Sequence, residues 1–471
     1  MTEIAELSAV DLLEKYRSGE ASPVEAIQAS FQRIEKYEPR LNAFCYLDEE
    51  SAMAAARASE ERWHKGAPVG LLDGVPTTIK DTIMMKGWPF LLGTRVRDPE
   101  DVPTEDTPAV ERVRDHNAVI LGKTNTPEFG WKGVTDSPRF GITRNPWNLD
   151  LTPGGSSGGA AASVSTGISP LALGTDGGGS IRIPTSFTNL VGLKATHGRV
   201  PLYPVSPFGS LANVCPMART VGDVALLLMA IKGIDIRDWL SLSDDRVDYP
   251  AILDDGIKGL KVAFSPTLGY ADVDPEVAEI VAAAAEKFED LGATVELVET
   301  VFEDPTPTFE IFWRTGAANA LRVFDEEQLK LIEEGLVETG KRGQGISALD
   351  FLAARAARQT LAQHMSAFHQ NYDLLLTPTL AVPPFPVGML VPPEMDSDDW
   401  KTWTPFTYPF NMTKQPAASV PCGFTESGLP VGLQIVGGLR RDDLVLRAAR
   451  AYETACPWHK QRPPLLSEND A

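Results

Sequence analysis

Cysteine is scarce in this chain. Four thiols, Cys45, Cys215, Cys422 and Cys456, are spread through 471 residues with no C-x-x-C spacing. That excludes a disulfide framework and a thiolate metal site, and leaves them as small buried hydrophobes. Positive charge is short too: 43 Lys and Arg stand against 64 Asp and Glu, a formal net charge of −21. The imbalance opposes binding to phosphate backbones or anionic lipid, so no nucleic-acid or membrane partner is expected. Apolar runs fall far short of a membrane span. The acidic start, Met1-Thr2-Glu3-Ile4-Ala5-Glu6, shows no secretory signal, so a cytoplasmic location is expected. The remainder, 43% hydrophobic and 23% charged, suits a soluble enzyme with neutral or cationic ligands.

The elements alternate as in α/β proteins. The N-terminal hundred residues read helical, with Ser22-Pro23-Val24-Glu25 as a capping box and Val24, Ile27, Phe31 and Ile34 on one apolar face. After the turn Asp73-Gly74, the run Val75-Pro76-Thr77-Thr78-Ile79 reads as a strand ending in Lys80-Asp81. A helix over 109–116 leads to a buried strand over 118–121. Further helices are predicted near 220–232, 275–291, through most of 305–372, and from about 441. Strands are predicted at 260–264, 372–378, 417–420 and 431–436. No repeat or boundary divides the chain, so one domain over 1–471 is expected.

Between 152 and 200 the composition shifts to Gly, Ser, Ala and Thr. Two apolar stretches, Ile168-Ser169-Pro170-Leu171-Ala172-Leu173 and Ile181-Arg182-Ile183-Pro184, interrupt it and read as buried strands. A flexible linker needs no buried strand, so this is close-packed backbone. Three elements here and nearby can carry chemistry: Lys80, the run Pro153-Gly154-Gly155-Ser156-Ser157-Gly158-Gly159, and the run Gly174-Thr175-Asp176-Gly177-Gly178-Gly179-Ser180-Ile181-Arg182. Consecutive glycines let several N–H groups turn toward one point and hold an anion. Ser180 closes that nest, so attack by its hydroxyl on a carbonyl would leave an oxyanion facing the amides of Gly177, Gly178, Gly179 and Ser180. A serine needs a base, usually histidine. The six histidines, at 64, 116, 197, 364, 369 and 459, do not cluster. A desolvated, neutral lysine can replace histidine, and Lys80 at the end of an apolar strand is placed for it.

These residues resemble the amidase signature enzymes. The likeness is dense from Gly74 to Gly198, with echoes at Asn145-Pro146-Trp147, Pro421-Cys422-Gly423 and Gly428-Leu429-Pro430-Val431-Gly432-Leu433-Gln434. The resemblance implies an α/β/α sandwich around a large mixed twisted sheet, and a Ser–cis-Ser–Lys triad. In that mapping Ser180 is the nucleophile, Ser156 the bridging serine preceded by a cis peptide, and Lys80 the base. It further implies that Ser157 hydrogen-bonds the Ser156/Lys80 pair and that Asp176 and Arg182 hold the glycine loop. Asn125, within Lys123-Thr124-Asn125-Thr126-Pro127-Glu128, and then Gly130 and Trp131 would lie at the acyl pocket.

The expected activity is hydrolysis of C–N bonds in small or synthetic amides, with esters and carbamates as further substrates, by a monomer or homodimer without metal or organic cofactor. The helical and proline-rich stretch over about 305–415 is expected to cover the cleft. Three rival readings remain. Gly154-Gly155-Ser156-Ser157-Gly158 also fits the nucleophile elbow of α/β-hydrolases, with Ser156 attacking, but Asn148-Leu149-Asp150-Leu151-Thr152-Pro153 makes a poor entering strand. Gly122-Lys123-Thr124 looks like the end of a P-loop, but Asn117 stands where its first glycine belongs. The glutaminase subunit of the aminoacyl-tRNA amidotransferase usually has glutamine directly after Ser-Ile-Arg, where this chain has Ile183.

Overall fold

The computed structural model describes residues 2–467. Thirteen strands appear in the order β1 (Phe44–Leu47), β2 (Pro76–Lys80), β3 (Val119–Thr124), β4 (Asp136–Ser137), β5 (Gly141–Ile142), β6 (Leu171–Asp176), β7 (Val191–Lys194), β8 (Asn213–Ala218), β9 (Lys261–Phe264), β10 (Thr294–Leu297), β11 (Leu374–Pro378), β12 (Ala417–Phe424) and β13 (Pro430–Gly437). Strands β4 and β5 form a small separate ribbon. The other eleven make one sheet in the order β1-β3-β2-β6-β8-β7-β12-β13-β11-β9-β10. Pairing is parallel for β3/β2, β2/β6, β11/β9 and β9/β10, and antiparallel elsewhere. The fold is an α/β/α sandwich around a mixed sheet.

Alternation along the strands sends residues to opposite layers. In β6, Leu171 and Leu173 join the cluster built with the Val221–Ile231 helix, whereas Ala172 packs with Ala160, Ala161 and Val164 of the Gly158–Ser165 helix. In β11, Leu374 and Leu376 face that first cluster and Leu375 faces a second, aromatic one containing Phe309, Trp313, Trp400 and Trp403. The capping box holds: the Ser22 hydroxyl accepts from the Glu25 amide and the Glu25 carboxylate accepts from the Ser22 amide, opening the Pro23–Leu41 helix.

Two expectations need correction. The N-terminal hundred residues are not all helical before residue 72, because Phe44–Leu47 pairs with β3 as the edge strand β1. Ile181-Arg182-Ile183-Pro184 is not a strand but the entry to the Arg182–Phe187 helix; a short apolar run carries no period that separates a buried helix from a buried strand. Strand β8, central in the sheet, went unread, and it contains Pro216. Its ladder to β7 covers only Ala218 and Met217, so the proline stands where that pairing has already stopped.

Candidate active site

The site forms where neighbouring parallel strands end. Strands β2 and β6 run side by side with Ile79 opposite Leu173, so Lys80 leaves the end of β2 beside Gly174 and Thr175. The carboxyl ends of adjacent parallel strands are where open α/β sheets place ligands. Lys80 is fully buried. Its Nζ donates to Ser156 Oγ at 2.6 Å and to Thr175 Oγ1 at 2.8 Å, while Thr82 Oγ1 lies 3.2 Å from Thr175 Oγ1. Burial among hydroxyls pulls the Lys80 ammonium down to about 7, against the opposing pull of the Asp176 charge. A lysine so placed is available as a neutral amine near neutral pH.

Ser156 follows a cis Gly155–Ser156 peptide and lies just ahead of the Gly158–Ser165 helix. Gly130 presses on it. With φ of +68°, a β-carbon added there would sit 3.2 Å from Ser156 Oγ, so the position accepts little but glycine. The segment entering Ser156 is irregular, touching Pro386 only through an isolated bridge at Leu151, and the Ser156 hydroxyl has a lysine rather than a histidine as its partner. Both facts remove the hydrolase elbow. Gly122-Lys123-Thr124 lies inside β3, with the buried Lys123 ammonium 2.7 Å from the Asp81 carboxylate, which removes the P-loop.

Ser180 follows the glycine loop that joins β6 to the Arg182–Phe187 helix. It is 7% exposed, and its carbonyl accepts the Ser157 amide at 3.2 Å, which ties the two serine loops together. The N–H groups of Gly177, Gly178 and Ser180 make no hydrogen bond among the described residues. Gly179 differs: its amide donates to Asp176 Oδ1 at 2.9 Å, so it is not free to serve an oxyanion as the sequence suggested. Its φ of +131° and the Thr407 hydroxyl, 2.5 Å from where a β-carbon would stand, require glycine there. Thr407 Oγ1 also donates to the Gly178 carbonyl at 2.6 Å.

Asp176 and Arg182 form a buried knot beneath this loop. The Arg182 guanidinium grips both Asp176 oxygens at 2.9 and 3.0 Å, and donates to the Thr407 carbonyl, Gln434 Oε1 and Asn411 Oδ1. With those donors committed and the side chain fully buried, Arg182 holds structure. Burial alone would raise the Asp176 carboxyl, but the charge and hydrogen bonds of Arg182, with Asn411, hold it at about 2.

The remaining expected residues fall in different places. The Ser157 hydroxyl bonds the backbone of Thr175, not the Ser156/Lys80 pair, because the side chain lies over Gly174. Asn125 is tied to the Asn42 and Ala43 carbonyls and is 2% exposed. Trp131 donates from Nε1 to Glu333 Oε2 at 3.0 Å. Sequence reasoning missed Thr175, Thr407, Asn411 and an aromatic wall. A β-carbon on Gly178 would lie 3.1 Å from both Phe309 and Trp400 and 3.7 Å from Trp313; one on Gly177 would lie 3.6 Å from Trp313. Of these only Thr175 adjoins a recognisable motif. Among the described residues no cluster of metal-ligating side chains occurs, and no helix is long and apolar enough to cross a membrane.

Comparison with known proteins agrees with this fold. The family model described as Amidase matches residues 25–446. An acylamidase of Rhodococcus erythropolis is 37% identical, with 97% of each chain covered. A glutamyl-tRNA(Gln) amidotransferase subunit of Myxococcus xanthus is 36% identical over 98% of this chain and all of that one. The crystal structure of a bacterial aryl acylamidase of the amidase signature family superposes with a TM-score of 0.90 at 34% identity, covering 99% of both chains. With its eleven-stranded sheet and a match running through nearly its whole length, the chain belongs to the Amidase family and is an amidase, a hydrolase of amide C–N bonds.

Proposed function

We propose that hydrolysis proceeds through an acyl-enzyme on Ser180. The carrying observation is the 2.6 Å contact between Lys80 Nζ and Ser156 Oγ, with the lysine brought near neutrality by burial. Neutral Lys80 accepts the Ser156 proton while Ser156 takes that of Ser180. Attack forms a tetrahedral oxyanion received by the amides of Gly177, Gly178 and Ser180. Ser156 then returns the proton to the departing nitrogen, the C–N bond breaks, and water repeats the relay to free the acid.

The aromatic wall of Phe309, Trp313 and Trp400 beside the loop favours aryl or arylalkyl groups on the substrate. Aryl esters and carbamates are proposed as further substrates, because both pass through the same tetrahedral oxyanion. Residues 305–415 contribute that wall, and we assign them to covering the cleft of one domain spanning 1–471. The chain works alone in the cytoplasm, as monomer or homodimer. The amidotransferase subunits among its relatives support a second reading as a glutaminase within a complex. Against it, Ile183 is buried, with its side chain within 3 Å of the β-carbon positions of Gly154 and Gly179. The test is phenylmethylsulfonyl fluoride labelling of the purified chain with mass spectrometric mapping, beside rates on nitroanilides, aryl esters, aryl carbamates and glutamine. A single adduct on Ser180 with turnover of the aryl amides is expected. An adduct elsewhere sinks the nucleophile, and glutamine as the best substrate sinks the standalone reading.

A further inference from the structure

A cavity of about 950 Å³ lies between residues 197–240, the Thr306–Leu321 helix and the Ala348–Phe368 helix, and none of Lys80, Ser156, Ser180 or Gly177–Gly179 lines it. The stacked rings of Phe208 and Trp313, 4.2 Å between centroids, stand between it and the glycine loop. Phe208, Trp239, Leu240, Phe312, Phe351 and Met412 supply an apolar wall. The charges on that wall run against the rest of the chain. In a protein of net charge −21, the lining holds Arg355, Arg358 and Lys414 against one carboxylate, Asp238.

Two of these four are already engaged. Asp238 accepts the Leu202 and Leu240 amides, each at 2.9 Å. Arg358 donates to the carbonyls of Asn411, Met412 and Ser210. The side chains of Arg355 and Lys414 make no ion pair or hydrogen bond among the described residues. Two buried polar groups of the lining also lack a partner among the described residues: His197 Nε2, in a residue 8% exposed, and Thr413 Oγ1, in one 5% exposed. Unpaired buried polar atoms are uncommon and call for an occupant. The histidine has a definite polarity. The Asn213 amide nitrogen is committed to the Asp176 and Leu211 carbonyls, so its oxygen faces His197 Nδ1 at 3.2 Å and Nδ1 carries the hydrogen. Nε2 therefore presents a lone pair. Burial and the nearby lysines Lys414 and Lys194 keep the ring neutral.

We propose that this cavity is a ligand site separate from the catalytic serines, built for an amphipathic organic anion: an aryl body against the rings, a carboxylate drawn by Lys414 and Arg355, and a hydroxyl or N–H donating to His197 Nε2. Its walls reach the catalytic loop. His197 touches Asn213, and Arg358 holds the Asn411 backbone, and both asparagines donate to Asp176.

Calorimetric titration of the full chain with 3-(4-hydroxyphenyl)propionate and 3-phenylpropionate tests this, before and after treatment with phenylmethylsulfonyl fluoride. One saturable site is expected that survives the treatment, prefers the hydroxylated probe, and weakens about tenfold or more in the Arg355→Gln/Lys414→Gln double variant. His197→Phe should erase the preference for the hydroxyl. Circular dichroism checks that each variant is folded. If the double variant is not, Arg355→Gln alone, at an exposed position, carries the test. Unchanged affinity in the folded variant, loss of binding to the sulfonylated enzyme, or no binding at millimolar probe would each overturn the proposal.

Discussion

Strands β2 and β3 lie side by side in parallel, and each brings a fully buried lysine to its carboxyl end, Lys80 and Lys123. The two share residue type, depth and sheet, yet differ in their partners. Lys80 meets two hydroxyls. Lys123 meets the Asp81 carboxylate at 2.7 Å, the Pro89 carbonyl and the face of Phe90. A carboxylate in contact fixes the charge on a buried ammonium, whereas hydroxyls leave the desolvation cost standing and the proton weakly held. Asp81 is the chain neighbour of Lys80, but it is consumed by Lys123. That division of partners is what sets the proposed base, Lys80, apart from Lys123.

Substitutions can break the comparison in order of effect. Ser180→Ala should lower kcat on a nitroanilide by about 10⁴-fold or more with the fold intact, since the attacking atom is gone; residual turnover above one part in a hundred would reject it as nucleophile. Lys80→Ala should cost about 10²–10⁴-fold, and Lys80→Arg should not rescue it, because a guanidinium stays charged. In the unaltered enzyme, kcat/KM should rise about tenfold per pH unit on the acid side and level off above an apparent pKa near 7, as Lys80 loses its proton; a flat profile from pH 5 to 9 would contradict this.

Lys123→Met should act on stability instead, by about 3–5 kcal/mol, because it strands the Asp81 carboxylate in the interior. A lowered melting temperature would register it, and the freed carboxylate beside Lys80 should move the pH midpoint upward. The smallest effect belongs to Thr175→Val, which removes one acceptor from Lys80; a loss of kcat of about tenfold with an unchanged melting temperature is expected. A loss as large as that of Lys80→Ala would place Thr175 among the proton carriers.

Lys80, Ser156 and Ser180 were legible because they stand in runs where glycine or a strand end restricts what the backbone can do. Of the knot behind them, only Asp176 and Arg182 were. Asp176 and Arg182 are near in sequence, but Thr407, Asn411 and Gln434 lie more than two hundred residues on, and no local pattern marks a partner at that separation. The spent amide of Gly179 was equally invisible, since four consecutive N–H groups look alike until a carboxylate claims one. Strand β8 was not read; it carries Pro216, opposite Leu173 of β6 and past the end of the β7 pairing, so the missing N–H costs no β7 bond. Strands such as β11 and β13 were found because they are rich in Leu, Ile and Val, as suits a sheet covered on both faces.

The indole rings of Trp313 and Trp400 come within van der Waals range of the point a β-carbon on Gly178 would occupy. In the proposed mechanism, charge appearing on an acylating carbonyl would arise beside these two native fluorophores. If that mechanism holds, stopped-flow emission should follow turnover on unlabelled substrates and separate acylation from deacylation for compounds that release no colour.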